Sequence, residues 1–194
     1  MHSLFLDSTS GLVVGLLDSK FNWVEYKSLD EKKPSEIIHF EIFNLLKKHN
    51  LDLKDMRTFI SSGPGSYTGM RLSEGFVQVF ELNHMPVYSF YHFDVPRLSG
   101  VVKGYWATNA FKGEVFVYNW NGEEIKKELL LKDVFSQAGR NNGFTLDDTD
   151  PIFSGLTSTK KFIKNESAKL FANVLEKKLR VPPYYFRSLE EEFR

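Results

Sequence analysis

Glycine and hydroxyl residues crowd one short segment, Ser61-Ser-Gly-Pro-Gly-Ser-Tyr-Thr-Gly-Met-Arg71, and this segment constrains the fold more than any other part of the chain. A buried-strand pattern at Thr58–Ser61 leads into it, and an apolar stripe at helical spacing follows it. The stripe consists of Leu72, Phe76, Val79 and Phe80. The segment therefore predicts a strand, a glycine loop and a helix in succession.

The glycine loop has two interpretations. Its backbone N–H groups at a helix N-terminus can hold an anion, or its glycines can close a tight structural turn. The common phosphate fingerprints do not fit, because Met70 stands where a P-loop has Lys and Gly69 comes one residue too late for a dinucleotide motif. A nucleophile elbow is excluded as well, because Pro64 and Thr68 flank Ser66 where glycines are required. Both interpretations stay open at the level of sequence.

The element pattern predicts a mixed sheet with helices on its faces, formed twice. Strand patterns at Ser3–Asp7, Gly11–Leu17 and Phe21–Tyr26 precede a helix from Ser35 to His49, and Pro86–Phe90 follows the second helix. This β-β-β-α-β-α order begins again after residue 100, so we predict lobes at residues 1–98 and 101–194. Within the second lobe we predict a strand at Pro151–Phe153 and a last helix around residues 168–175.

Composition excludes several classes of protein. The 25 basic residues balance the 25 acidic ones, which argues against duplex DNA or an anionic membrane as a dominant electrostatic partner. The 18 Phe, 8 Tyr and 3 Trp supply a core, which excludes intrinsic disorder. No apolar run approaches the ~18 residues of a membrane span, so we expect no membrane association and a cytoplasmic location.

Few residues offer chemistry of their own. The chain has no Cys, and its five His residues show no metal-binding spacing, so we predict no metal site. Asp7 and Ser8 open a turn at the tip of the first hairpin, where they either hold a phosphate-bound metal or close the turn. We see no Ser–His–Asp arrangement, which argues against a peptidase, and we predict no catalytic residue.

Four segments resemble the TsaB (YeaZ) family. Gly63-Pro-Gly-Ser-Tyr-Thr-Gly-Met-Arg71 resembles the family's Gly-Pro-Gly-Ser-Phe-Thr-Gly-Leu-Arg signature. Leu4–Thr9 is similar to the opening strand and turn, Lys112–Val115 to the second-lobe hairpin, and Pro183–Arg187 to the C-terminal Pro-x-Tyr-x-Arg. The resemblance extends over residues 1–98. After residue 98 it is confined to short, separate segments.

The resemblance implies a two-lobed fold of the actin-like ATPase superfamily, with ribonuclease-H-like βββαβα lobes. It also implies a non-catalytic subunit that binds and stabilises TsaD, which carries the metal and transfers the threonylcarbamoyl group to adenosine 37 of tRNA. A TsaE-like ATPase completes the assembly. The protein alone is then expected to be a homodimer, to contact tRNA only indirectly, and to have no cofactor of its own beyond ATP or ADP at the partner interface.

The resemblance also suggests site residues. The nucleotide or anion region comprises Asp7, Ser8, Gly63, Gly65, Ser66, Thr68 and Arg71. The family pairs through the two first-lobe helices, here Ser35–His49 and Gly69–Leu82. The expected interface residues are Ile38, Phe40, Ile42, Phe43, Leu46, Met70 and Val77.

Some features depart from the family pattern. Glu74 places a negative charge near the proposed anion region, and Asn109-Ala110-Phe111 replaces the usual Asp-Ala-Arg. The second lobe looks trimmed. Two alternatives therefore stay open: a stand-alone ATPase or small-molecule kinase that uses Asp7, Ser8 and the glycine loop, and a self-associating paralogue outside the tRNA pathway.

Overall fold

Three antiparallel strands and two parallel ones form the first sheet. The computed structural model describes residues 1–30, 33–137 and 143–186. The strands are β1 (Ser3–Asp7), β2 (Leu12–Leu17), β3 (Trp23–Leu29), β4 (Arg57–Ser61) and β5 (Val87–Phe90), in the order β3-β2-β1-β4-β5. Two crossover helices connect the parallel strands, α1 (Pro34–Lys48) and α2 (Tyr67–Leu82). This arrangement agrees with the predicted β-β-β-α-β-α order.

Residues of β1 alternate between two cores. Leu4 and Leu6 point to the face that α1 and α2 cover, where aliphatic side chains of both helices meet the sheet. Phe5 points to the opposite face, where its ring lies 6.2 Å from that of Phe90. The first sheet is therefore buried on both faces, which explains why every residue of β1 and β2 is buried and why successive residues of both strands are mostly apolar.

The second sheet repeats the strand order of the first. Its strands are β6 (Lys103–Asn109), β7 (Glu114–Asn121), β8 (Glu124–Leu131), β9 (Gly143–Thr145) and β10 (Thr157–Ser158), in the order β10-β9-β6-β7-β8. Its helices are α3 (Val95–Leu98), α4 (Lys132–Gln137) and α5 (Thr159–Asn165). The segment Lys112–Val115 belongs to the β6–β7 hairpin, as the sequence predicts.

The second sheet lacks the counterpart of α2. Residues 146–156, which join β9 to β10, are all described and contain no α-helix. Pro151–Phe153 forms a 3₁₀ turn and not the predicted strand, because the Asp150 carboxylate accepts a hydrogen bond from the Ile152 N–H and starts the turn. The second sheet therefore has one crossover helix fewer than the first at this connection.

The last helix belongs to the first sheet. The chain divides into one unit of residues 1–92 and 167–185 and another of residues 93–166 with Phe186. Helix α6 (Ser167–Glu176) returns because its fully buried Phe171 packs on the aromatic face of the first sheet, 5.4 Å from the ring of Phe5 and 4.8 Å from that of Phe59. The predicted lobes, 1–98 and 101–194, differ from these units at the boundary and in the placement of this helix.

Phe171→Ala should destabilise the first unit by about 3–5 kcal/mol, because truncation of a fully buried Phe leaves a cavity among rigid rings. Urea denaturation measures the change. Phe40→Ala, at a side chain 63% exposed on α1, should change the free energy of unfolding by at most about 0.5 kcal/mol. Equal effects of the two substitutions would contradict the assignment of α6 to the core.

Candidate functional site

The glycine loop packs directly against the turn between β1 and β2. The Ser66 N–H donates a hydrogen bond to the Thr9 carbonyl at 2.7 Å, and the Ser8 hydroxyl donates to the Gly69 carbonyl at 2.7 Å. A Cβ at Gly69 would lie 1.8 Å from the Ser8 carbonyl oxygen, and one at Gly65 would lie 2.6 Å from Thr9. The glycines are required because two backbones approach more closely than any side chain allows.

Gly63 has a different reason to be glycine. Its φ is +94°, a conformation that residues with a side chain rarely adopt, and its Cβ would overlap the side chain of Met70. These contacts favour the structural-turn interpretation of the loop.

We call this contact between the glycine loop and the β1–β2 turn the joint. A buried polar network lies beneath it. Asp7 Oδ1 accepts hydrogen bonds from the Thr9 N–H at 2.9 Å and the Thr9 hydroxyl at 2.6 Å. His92 Nε2 lies 2.8 Å from Thr9 Oγ1, 2.9 Å from Ser61 Oγ and 3.2 Å from Asp7 Oδ2. Burial raises the pKa of Asp7, but the nearby charge of His92 and the hydrogen bonds from Thr9 outweigh it and lower the pKa from 3.8 to about 2.

The network is not arranged for nucleophilic catalysis. A triad needs the carboxylate on one imidazole nitrogen and the hydroxyl on the other, but here Asp7 and Ser61 both face Nε2. The Thr9 hydroxyl donates its proton to Asp7, so it can only accept from His92, and Nε2 must carry the hydrogen. A protonated Nε2 cannot remove a proton from Ser61. The three side chains are also at most 2% exposed.

Sequence reasoning did not select His92, Thr9 or Ser61 as site residues. One signal was available: Asp7, Ser61 and His92 end or follow three strands, β1, β4 and β5, which run parallel and adjacent in the sheet. Carboxyl ends of parallel strands meet at one edge, so polar residues there come together.

The predicted nucleotide or anion region divides into two sets. Asp7, Ser8 and Gly63 are buried, and Gly65 is half-buried. Ser66, Thr68 and Arg71 are exposed at the start of α2. The Arg71 guanidinium lies 4.4 Å from the centre of the Tyr67 ring. The exposed residues remain able to contact an anion, whereas the buried ones lie in the contact between the glycine loop and the β1–β2 turn.

The charge of Glu74 is compensated. Arg180 donates a hydrogen bond to the Glu74 carboxylate at 2.9 Å and another to Glu81 at 2.8 Å. The predicted repulsion between Glu74 and an anion near the loop is therefore reduced.

The chain after α6 runs along the edge of the first sheet to the loop. The Ser89 N–H donates to the Leu179 carbonyl at 2.9 Å, and the Tyr184 N–H donates to the Ser62 carbonyl at 3.0 Å. The C-terminal motif thus contributes Tyr184 to the joint. Arg187 of that motif and the acidic Glu190–Glu192 lie outside the described residues.

The predicted interface residues also divide. Four of them belong to the core, at no more than 6% exposed, and this corrects their assignment to a partner surface: Ile38, Ile42, Met70 and Val77. The reason is the helical period, because residues four apart on α1 face the sheet. Leu46 is half-buried, whereas Phe40 and Phe43 are 63% and 60% exposed.

Helix α2 adds exposed apolar residues that the prediction lacked. Val79 is 54% and Leu82 is 80% exposed. We call Phe40, Phe43, Val79 and Leu82 the outer helix face. A groove of about 500 Å³ has walls of both helices, and its lining includes Ile42, Leu72, Phe76, Val79, Phe80 and Arg71.

The described residues contain no group of three or more His, Cys, Asp or Glu residues that could hold a metal ion. None of their helices is long and apolar enough to cross a membrane.

The fold indicates the class of protein. Each of the two units has a mixed five-stranded sheet, and the two sheets share one strand order, as in actin-like ATPase folds. No protein-family model and no curated protein matches the chain. A structure of "an uncharacterized protein with similarity to peptidase YEAZ from Pseudomonas aeruginosa" matches with a TM-score of 0.64 and 17% identity, over 96% of this chain and 99% of that one. YeaZ from Pseudomonas aeruginosa matches with a TM-score of 0.60 and 18% identity, over 95% and 99%. The chain has the fold of YeaZ along its length, and the predicted fold class is confirmed.

Gly69→Ala should destabilise the protein by about 3 kcal/mol, because the new methyl group would lie 1.8 Å from the Ser8 carbonyl oxygen and the backbone has to shift to admit it. Gly75→Ala is the matched control on the same helix, since nothing lies within 4 Å of its Cβ position. The control should stabilise by about 0.5–1 kcal/mol. Thermal or urea denaturation of both variants measures the difference, and a neutral Gly69→Ala would refute the close packing.

Acid should remove the stability that Asp7 supplies. Its folded pKa lies below its ordinary value, so the contribution, on the order of 2 kcal/mol, is present above pH 4 and is lost as the pH falls towards 2. In urea denaturation between pH 2 and 6, Asp7→Asn should lower stability at pH 6 and flatten this acid slope. The control Asp55→Asn, on an exposed turn, should keep the original slope. An unchanged slope in Asp7→Asn would contradict the buried pairing with His92.

Proposed function

We propose that this protein is a non-catalytic interaction subunit that binds and stabilises a TsaD-like catalytic subunit in the formation of N6-threonylcarbamoyladenosine at position 37 of tRNA. One observation carries the proposal: the outer helix face presents large apolar side chains beside an open groove. The YeaZ fold and the matching glycine segment supply the family context.

The outer helix face has the properties of a binding surface. Phe40 and Phe43 lie three residues apart on α1, and Val79 and Leu82 lie three apart on α2, so each pair occupies one side of its helix. Contiguous exposed apolar side chains on a folded unit mark interaction sites. Aromatic anchors beside a groove are the side chains from which interfaces gain most of their free energy. The same face would also serve a homodimer of the protein alone.

The buried network argues against independent catalysis. A stand-alone ATPase or kinase would need Asp7 to reach a phosphate-bound metal, but its carboxylate is 2% exposed and is held by Thr9 and His92. The geometry at His92 likewise disfavours a peptidase. We therefore assign the transfer chemistry to the partner.

Nucleotide, if it is bound, belongs to the partner interface. Arg71 lines the groove, and the exposed hydroxyls of Ser66 and Thr68 lie at the start of the same helix. This position suits ATP or ADP held between two subunits, with the phosphates near the N-terminus of α2. A TsaE-like ATPase would join the assembly, and tRNA would be contacted through the partner.

A pull-down from the source organism at moderate salt tests the proposal, with mass spectrometry of the captured proteins. Recovery of a TsaD-like metalloprotein supports it. Recovery of this chain alone overturns it in favour of a self-associating paralogue outside the tRNA pathway.

Phe43→Asp should weaken the affinity for the TsaD-like subunit by about 30-fold, because it places a charge in an apolar anchor position. Isothermal titration calorimetry measures the loss. Val24→Asp is the control, since Val24 is 44% exposed on β3 and is not part of the outer helix face. Equal affinity of the two variants would exclude the outer helix face as the interface.

A further inference from the structure

Strand β8 ends the second sheet with an apolar row. It pairs with β7, and among the described residues it stands last in the strand order. Ile125, Leu129 and Leu131 are 47%, 39% and 61% exposed. They lie an even number of residues apart, so they share one face of the strand. A long edge strand with exposed apolar residues and no proline is a template for strand pairing.

The edge strands β5 and β8 stand at non-equivalent ends of the two sheets and differ in what lies beside them. The chain after α6 flanks β5, through the hydrogen bond from the Ser89 N–H to the Leu179 carbonyl. No described segment pairs with the outer edge of β8.

We propose that β8 pairs antiparallel with β8 of a second copy of this chain, about a two-fold axis at Lys127. In this register Ile125 faces Leu129 of the other copy. Lys126 and Glu128 already pair with each other within one chain, and here Lys126 also faces Glu128 of the other copy. The two-fold axis repeats each contact, giving two apolar pairs and two opposite-charge pairs. Such cross-strand pairs stabilise antiparallel sheets.

Two contacts of this register are unfavourable: Lys127 meets its own copy on the axis, and Glu124 faces Leu130 of the other copy. The cost at Lys127 is reduced because its ammonium is drawn back onto its own sheet, 5.2 Å from the ring of Phe93 and 5.9 Å from that of Tyr118. A register centred on Glu128 would instead oppose two carboxylates and place Lys126 across from Leu130. Charge complementarity therefore selects the register at Lys127.

This pairing is separate from the proposed function. Strand β8 lies in the second unit and the outer helix face in the first, so each surface can fail alone. The test is carried out in the Phe43→Asp background, which removes pairing through the helices.

Cysteine cross-linking gives the sharpest test, because the chain has no Cys of its own. Lys127→Cys places two thiols directly opposite each other at the axis, with Cα atoms about 4.5–5.5 Å apart, within disulfide range. Glu124→Cys is the control on the same strand, because its two copies would lie roughly 20 Å apart. We expect rapid disulfide dimers from the first variant and none from the second. No cross-link in the Lys127→Cys variant, or equal cross-linking of both variants, overturns the proposal.

Sedimentation of chains without introduced cysteine provides the second measurement. The Phe43→Asp protein should still dimerise, and adding Leu129→Lys should weaken this dimer at least tenfold. A monomer at all concentrations overturns the proposal. If β8 amides in that monomer are protected from hydrogen exchange, another segment of the chain covers the strand.

Discussion

The close approach of α2 to the first hairpin is the contact on which the first unit depends. Gly69 has no side chain, so the first turn of α2 rests on the Ser8 carbonyl and the Ser8 hydroxyl bonds to the helix in return. This contact fixes the direction of α2, and with it the groove against α1. The side chains of Asp7 and His92 lie buried beneath this contact, at most 2% exposed. The glycine loop thus holds the start of α2 against the first hairpin and sets the position of the helix.

Much of the first unit could be predicted because its local signals agree with the final packing. The glycine loop, the strand patterns and both crossover helices occur where periodicity indicates them. The return of α6 could not be predicted, because the stripe around Phe171 is compatible with either sheet. The pairing of His92 with Asp7 depends on the order of strands in space, and a single histidine after β5 carries no spacing signal.

The sequence pattern of α1 does not separate residues that pack on the sheet from residues that face outwards. The apolar stripe on α1 is broad because the helix has two apolar faces. Ile38 and Ile42 pack on the sheet, whereas Phe40 and Phe43 point outwards. In the sequence all four are simply large apolar residues. The sequence therefore indicates that the helix contacts two surfaces. Only the orientation of the helix on the sheet shows which residues contact the sheet and which face outwards. Val79 and Leu82 were missed for the same reason.

The most direct test of this account is reconstitution with the TsaD-like subunit of the same organism. Threonylcarbamoyl transfer to tRNA is measured with and without this chain, alongside ATP turnover by this chain alone. Transfer by the catalytic subunit and its ATPase partner should require this chain, and the chain alone should turn over no ATP. ATP turnover by the purified chain that is lost in Asp7→Ala, or transfer that is indifferent to its presence, would contradict the account.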